Sequence, residues 1–355
     1  MASKDSRCVL VTGGAGYIGS HCAVEILQAG HDVIIIDNCC NAVTGTGGIP
    51  ESIHRVCQIT GKQVKYHQVD IVDIEALRDV FSKYSIDVVI HLAALKAVGE
   101  SVKRPLDYYK VNFIGTCNIV QVMKEHNMKN LIFSSSATVY GHSNAVPFVE
   151  TLPTGIDITS PYGKSKYFTE TMLKDVCSQD KSWNMILLRY FNPVGAHPSG
   201  LLGEYPSGTP KNLMANAVQA ALGNIPHLKV FGNDYDTPDG TGVRDYPHVV
   251  DLAQGIAAAL AKIEDNNNSC GLRIYNLGEG QGYSVLEMIA ALEKASAKKV
   301  PYVIEKRRPG DIGTFYSDPT LAWKELGWKA TRSLEERCKD LWHFHTMNPH
   351  GYLKN

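Results

Sequence analysis

Hydrophobic residues along this chain recur in two rhythms. Short runs rich in apolar residues lie at 8–12, 33–36, 64–68, 88–94, 131–133 and near 187–191, each the length of a strand. Between them, at 20–29, 50–60, 74–84, 106–125 and from 160 onward, apolar residues return every three or four positions, as on a helix with one buried face. Runs that are apolar throughout belong to strands covered on both sides. The alternation therefore predicts a doubly wound, Rossmann-type parallel α/β sheet with right-handed crossovers. After Tyr190, glycine, proline and polar residues become denser up to Pro210, which reads as entry into a smaller mixed α/β lobe over 191–355. That lobe is expected to hold a helix at 213–222, a strand at 228–231 and a closing helix at 333–345. The spacing at 249–262 predicts a helix, and it is expected to return to the first lobe, 1–190, so that the boundary need not be crossed only once. No internal repeat or low-complexity tract interrupts this plan.

The first strand runs into Gly13-Gly14-Ala15-Gly16-Tyr17-Ile18-Gly19 and then into a helical pattern. Gly14, Gly16 and Gly19 fit G-x-G-x-x-G, while Gly13, Gly16 and Gly19 fit the related G-x-x-G-x-x-G. Between a strand and a helix, missing Cβ atoms let backbone N–H groups close on a pyrophosphate, so the spacing predicts a dinucleotide site. Asp37 ends the second strand 18 residues after Gly19. An acid there accepts hydrogen bonds from the adenosine ribose and repels a 2′-phosphate, which favours NAD over NADP. Its bland alternative is a loop cap. Asp70-Ile71, after the third strand, is placed to flank the adenine, and Lys96 lies just beyond the fourth.

Ser134-Ser135-Ser136 follows the fifth strand, and Ser160-Pro161-Tyr162-Gly163-Lys164-Ser165-Lys166 opens the next helix, with Ser160 as cap and Pro161 in the first turn. Tyr162 and Lys166 then share a face, one turn apart, near the positive end of the helix dipole. A free phenol near pKa 10 is ionised about one part in a thousand at neutral pH, a cost of roughly 4 kcal/mol for its use as a base. An adjacent ammonium and an oxidised nicotinamide ring lower that cost, and Ser136 is placed to share the proton. Tyrosine and lysine at this spacing also line ordinary helix surfaces. With the glycine turn and the serine triplet, they point to oxidation of a CH–OH group.

G-x-x-G-x-x-G, the serine triplet and Tyr162-x-x-x-Lys166 together resemble the extended short-chain dehydrogenases/reductases. Three further motifs, R-Y-F-N-P-x-G-A-H from Arg189, F-G-N-D-Y-D-T-x-D-G-T-G-V-R-D-Y from Phe231 and R-R-P-G-D from Arg307, narrow the resemblance to the UDP-galactose 4-epimerase family over 9–352. That resemblance implies reversible interconversion of UDP-galactose and UDP-glucose, a step of galactose metabolism. The sugar is transiently oxidised at C4′ beside tightly bound NAD, the 4-keto sugar rotates, and hydride returns to the opposite face. It implies a catalytic set of Ser136, Tyr162 and Lys166. It implies an NAD site of Gly13, Gly16, Tyr17, Ile18, Gly19, Asp37, Asn38, Asn41, Asp70, Ile71, Leu92, Lys96, Tyr162, Lys166 and Tyr190. The UDP-sugar would meet Ser136, Thr138, Asn192, Asn212, Leu213, Phe231, Arg244, Arg308, Asp311 and Phe315.

Leu92, Lys211, Ala215 and Pro247 depart from the family's Phe, Asn, Pro and Ile; none removes a catalytic group, and altered substrate affinity is expected. Phe315 falls at the family's gate against the sugar 2-position, where its bulk implies poor turnover of UDP-N-acetylglucosamine. The resemblance also implies a homodimer through 106–125 and 160–179. The rivals are a nucleotide-sugar 4,6-dehydratase, which wants an acid near the Ser-x-Thr site where Ser136-Ala137-Thr138 offers none, and an NAD-binding scaffold without catalysis.

Charge excludes other classes. Thirty-five Lys and Arg against 36 Asp and Glu leave a net charge of −1 with no basic block, so neither nucleic acid nor an acidic membrane is an expected partner. Arg244 and Arg308 supply the local guanidinium groups that a diphosphate needs. A polar start and the lack of any span-length apolar run predict a soluble cytoplasmic protein. Nine cysteines without a C-x-x-C pair read as reduced thiols, and thirteen histidines without ligand spacing predict no metal.

Overall fold

The computed structural model describes residues 6–142, 145–205, 212–264, 270–308 and 311–352. Its strands, in chain order, are β1 (Cys8–Thr12), β2 (Asp32–Asp37), β3 (Lys65–Gln68), β4 (Val88–His91), β5 (Asn130–Ser136), β6 (Asn184–Tyr190), β7 (Leu228–Phe231), β8 (Val243–Arg244), β9 (Leu272–Leu277), β10 (Tyr283–Ser284), β11 (Tyr302–Glu305) and β12 (Thr314–Phe315). Seven of them form one sheet in the order β3-β2-β1-β4-β5-β6-β9, with every neighbouring pair parallel. Alternate residues feed opposite layers, as strand geometry requires. Val9, Val11, Val33, Ile35 and Ile90 pack into one core, and Leu10, Ile34, Val89 and Phe133 into the other. The strand order reverses at β1 and β4, and there the crossovers leave a crevice beyond the strand C-terminal ends.

The helix Val249–Glu264 lies against the helix Tyr17–Gln28. The remainder of 191–355 does not all belong to a second lobe. β9 pairs with β6 as the seventh strand, and the helix Thr320–Leu326 packs on β9 and on Val249–Glu264. β6 is apolar on both faces and would otherwise be a bare sheet edge; a six-residue strand supplied late in the chain covers it. The second lobe holds the pair β7–β11 and the small sheet β10-β8-β12 around Met214, Val218, Val230, Ile289, Leu292 and Leu341.

Where one helix is expected at 106–125, the chain forms Pro105–Tyr108, a π turn at Tyr109–Ile114 and Gly115–Glu125. The π turn contains Asn112, whose amide is committed to the backbone after β4: it accepts from Leu95 N at 2.8 Å and donates to Leu95 O at 2.9 Å. Such bulges concentrate at functional sites. Among the described residues no helix is long and apolar enough to cross a membrane, and no cluster of metal-ligating side chains occurs.

Candidate active site

Three glycines of the first turn do two different jobs. Gly13 has φ +67°, and a Cβ there would meet Ala93 N at 2.7 Å. A Cβ on Gly19 would overlap the Gly13 carbonyl oxygen and meet Gly14 Cα at 2.7 Å. Both are fixed by the closeness of turn, helix and β4. Gly16 is different: its φ of −76° suits any residue, and an added Cβ would touch only Gly13 O at 3.3 Å. Its bare Cα faces a cleft, and no side chain caps the helix that begins after it. A helix N-terminus without a side-chain cap and with an open approach is what a pyrophosphate requires, so the residues present fit the dinucleotide.

Gly13, Gly16, Tyr17, Ile18, Gly19, Asp37, Asn38, Asn41, Ile71, Leu92 and Lys96 all line this one cleft, together with Ser134. Asp37 accepts from Ala15 N at 3.1 Å and Cys39 N at 2.8 Å; burial raises its carboxyl pKa although these N–H groups oppose the shift. Asp70 stands one contact behind, accepting from Asn38 Nδ2 at 2.9 Å and from Val72 N at 3.0 Å. Lys96 reaches over Tyr17 to Glu204 at 2.8 Å, and Tyr17 donates to Gly195 O at 2.7 Å, which ties the turn to the chain after β6. Leu92 takes its place in the lining without disturbing the strand end, its N–H bonded to Thr12 Oγ1 at 3.2 Å.

Tyr162, Lys166 and Ser136 meet at the C-terminal end of β5. Ser160 caps the helix Pro161–Gln179, accepting from Gly163 N at 3.1 Å, so the register that sets Tyr162 and Lys166 one turn apart is the one the sequence implies. Lys166 is buried and donates to Ser134 O at 2.6 Å, its ammonium 4.8 Å from the Phe133 ring. Burial lowers its pKa to about 7, with Glu170 pulling the other way. Burial likewise raises the Tyr162 phenol, and the hydrogen bond with Ser136 only partly offsets this. Burial thus works against the charged form of both groups. Ser136 also accepts from Thr138 Oγ1 at 2.9 Å. Tyr190 ends β6 as a buried residue, and Asn192 follows it, exposed, with its N–H on Asp245 O at 3.1 Å.

In the second lobe Arg244 and Arg308 converge on Asp311, at 3.2 Å and 2.8 Å, and Arg308 lies 5.0 Å over Phe231. The acid holds two guanidinium groups side by side. Asn212, just before the helix Leu213–Ala221, donates to Glu204 at 2.6 Å, the carboxylate that also holds Lys96. Phe315 is 9% exposed and packs on Phe148 at 4.5 Å and Phe191 at 5.4 Å, so it belongs to an aromatic cluster. Pro247 lacks an N–H, but its loop pairs through the carbonyl, which accepts from Val194 N at 3.0 Å; Ala215 is simply buried. Lys211 lies outside the described residues.

Sequence reasoning missed the groups behind this set. Asn112 clamps the loop after β4 and donates to Ser165 at 3.0 Å. Glu170 and Arg189, buried and hydrogen-bonded, join the Pro161–Gln179 helix to β6. Glu204 joins the two sides of the cleft. Glu170 sits one turn past Lys166 and was legible in principle, whereas Glu204 and Asn112 carry no local signal.

Residues 10–341 match the family described as GDP-mannose 4,6 dehydratase. The UDP-glucose 4-epimerase of Bos taurus is 56% identical over 344 residues, 97% of this chain and 98% of that one. The UDP-glucose 4-epimerase of Bifidobacterium longum, solved in complex with NAD+ and UDP, is 51% identical with a TM-score of 0.91, covering 97% of this chain and 99% of that one. The enzyme from Stenotrophomonas maltophila, with bound NAD and formylated UDP-arabinopyranose, is 44% identical, also with a TM-score of 0.91 and the same coverage. Given this full-length likeness and the site just described, the chain belongs to the UDP-glucose 4-epimerases of the extended short-chain dehydrogenase/reductase family.

Proposed function

We propose that this protein interconverts UDP-galactose and UDP-glucose, holding NAD in the cleft between β1 and β4. The observation that carries the reading is the meeting of Ser136, Tyr162 and Lys166 at the end of β5, with Ser134 shared between Lys166 and the cleft. Gly16 leaves room for the pyrophosphate, Asp37 offers a carboxylate to the ribose, and Lys166 presents a buried ammonium. Bound NAD supplies a transient acceptor for the C4′ hydride. Tyr162 removes the 4′-hydroxyl proton and later returns it, Ser136 bridges phenol and sugar oxygen, and Lys166 stabilises the phenolate. Arg244 and Arg308, held together by Asp311, grip the diphosphate while the 4-keto sugar turns its other face. Phe315, seated against Phe148 and Phe191, restricts space at the sugar 2-position.

The 56% identical relative is an epimerase, and Ala137 leaves the Ser-x-Thr site without the acid an elimination needs, so dehydration is not favoured. Incubating the purified protein with UDP-galactose and no added cofactor tests the proposal. Appearance of UDP-glucose is expected; a 4-keto-6-deoxy product, or no product from NAD-loaded protein, would refute it.

The proposal extends to a cytoplasmic homodimer. All nine cysteines are free, which suits a reducing compartment. Val102, Leu106, Ile114 and Phe168 are 62%, 80%, 48% and 44% exposed on adjoining helices, an apolar face that suits a second copy of the chain. Leu106→Glu should halve the mass seen by light scattering, and an unchanged mass would remove this face from the interface.

A further inference from the structure

We propose that Glu170 is a positioning residue that keeps Lys166 charged, with Ser135 and Arg189 fixing its carboxylate in place. The inference rests on the reading of Tyr162 and Lys166 given above.

The serine triplet clasps the catalytic helix three times in succession. Ser134 O accepts from Lys166 at 2.6 Å, Ser135 Oγ donates to Glu170 Oε1 at 2.6 Å, and Ser136 meets Tyr162. Arg189 is the register partner of Ser135 on the adjacent strand and grips Glu170 with both prongs, Nε to Oε1 at 3.0 Å and Nη2 to Oε2 at 2.8 Å. Glu170 is 0% and Arg189 1% exposed. A wholly buried ion pair repays its desolvation only with full hydrogen bonding, and apolar replacements of the same volume are often as stable, so fold stability alone does not account for it.

The surroundings of Lys166 show what the pair adds. On β4, burial and the charge of Lys166 itself hold His91 near 3, so it is neutral at working pH. On β5 the neighbours are a carbonyl and the Phe133 ring. On the helix itself Tyr162 is a neutral phenol at rest, Ser165 is uncharged, and Glu170 follows one turn later. Glu170 is thus the carboxylate one turn from the buried Lys166 on the same helix, and the hydrogen bonds from Arg189 and Ser135 hold its pKa below the ordinary value. Lys174 adds a weaker contact to it at 3.5 Å from the half-exposed side.

The test is the pH profile of kcat/KM for UDP-galactose in NAD-loaded enzyme. In Glu170→Gln the high-pH limb, where Lys166 loses its proton, should move to lower pH by about one unit or more, because the anion one turn away is gone while the Arg189 charge beside it remains. In Glu170→Gln/Arg189→Gln part of the shift should be recovered, and Glu170→Asp should recover more. A purely structural role would change thermal stability and leave the limb in place. A folded Glu170→Gln or double variant whose limb coincides with the wild type overturns the inference, as does failure of both to fold. Lys166→Ala separates this failure from that of the parent reading. If Lys166→Ala keeps full activity, the catalytic assignment falls. If it is inactive while the Glu170 variants keep the wild-type limb, only the role of Glu170 falls.

Discussion

Substituting alanine singly for Gly13, Gly16 and Gly19 should separate folding from cofactor retention. Gly13→Ala forces a left-handed Cβ, costing roughly 1–2 kcal/mol, and adds a clash with Ala93 N worth about 1–3 kcal/mol. Gly19→Ala carries the clash alone, against the backbone of Gly13 and Gly14. Gly16→Ala meets only Gly13 O, at 3.3 Å, and strains nothing. For a chain of 355 residues the unfolding entropy implies about 1–2 °C per kcal/mol. On NAD-free protein followed by circular dichroism, the midpoint should fall by roughly 2–10 °C for Gly13→Ala, less for Gly19→Ala and under about 1 °C for Gly16→Ala. NAD retention should rank otherwise. A methyl on Gly16 displaces the pyrophosphate from one charge-assisted N–H bond, a loss of about 1.5–3 kcal/mol, or roughly 10- to 150-fold in affinity. Nucleotide released from purified protein by denaturation measures it. If Gly16→Ala keeps wild-type NAD while losing stability, the division of labour among the glycines is wrong.

Tyr162→Phe removes the proton acceptor without touching the cleft, so epimerisation should fall by about a hundredfold or more while NAD content stays unchanged; full activity would remove Tyr162 from its role. Phe315→Cys empties space between Phe148 and Phe191, costing about 3 kcal/mol, and should raise turnover of UDP-N-acetylglucosamine relative to UDP-glucose. An unchanged ratio between the two sugars would make Phe315 a core residue only. Burial depresses His21 and His91 to about 3 and His345 to about 4, below the unfolded value of about 6.5. The unfolded chain therefore binds more protons in acid, and stability should fall as pH drops below 6.5, by about 1.4 kcal/mol per unit for each imidazole. Asp245, whose carboxyl burial raises, offsets part of this. Urea midpoints at pH 7 and pH 5 check it, and equal midpoints would contradict neutral buried histidines.

Sequence alone was enough for whatever depends on neighbours along the chain. Short uninterrupted apolar runs read as doubly covered strands, glycines at this spacing between strand and helix suit a tight turn, and Ser160-Pro161 sets the helix register of Tyr162 and Lys166. Tertiary structure decided what depends on segments far apart. β9 joined the first sheet because β6 had an open edge, and a six-residue run holds no record of its partner. The expected helix holds a π turn at Asn112, whose amide bonds lie at Leu95 and Ser165, partners that no local pattern records. The ionisation of Tyr162 and Lys166 also escaped sequence reasoning, because pattern shows which charges are adjacent but not how much water is excluded around them. Burial beside β4, β5 and β6 sets that balance, and only the folded chain brings those strands together.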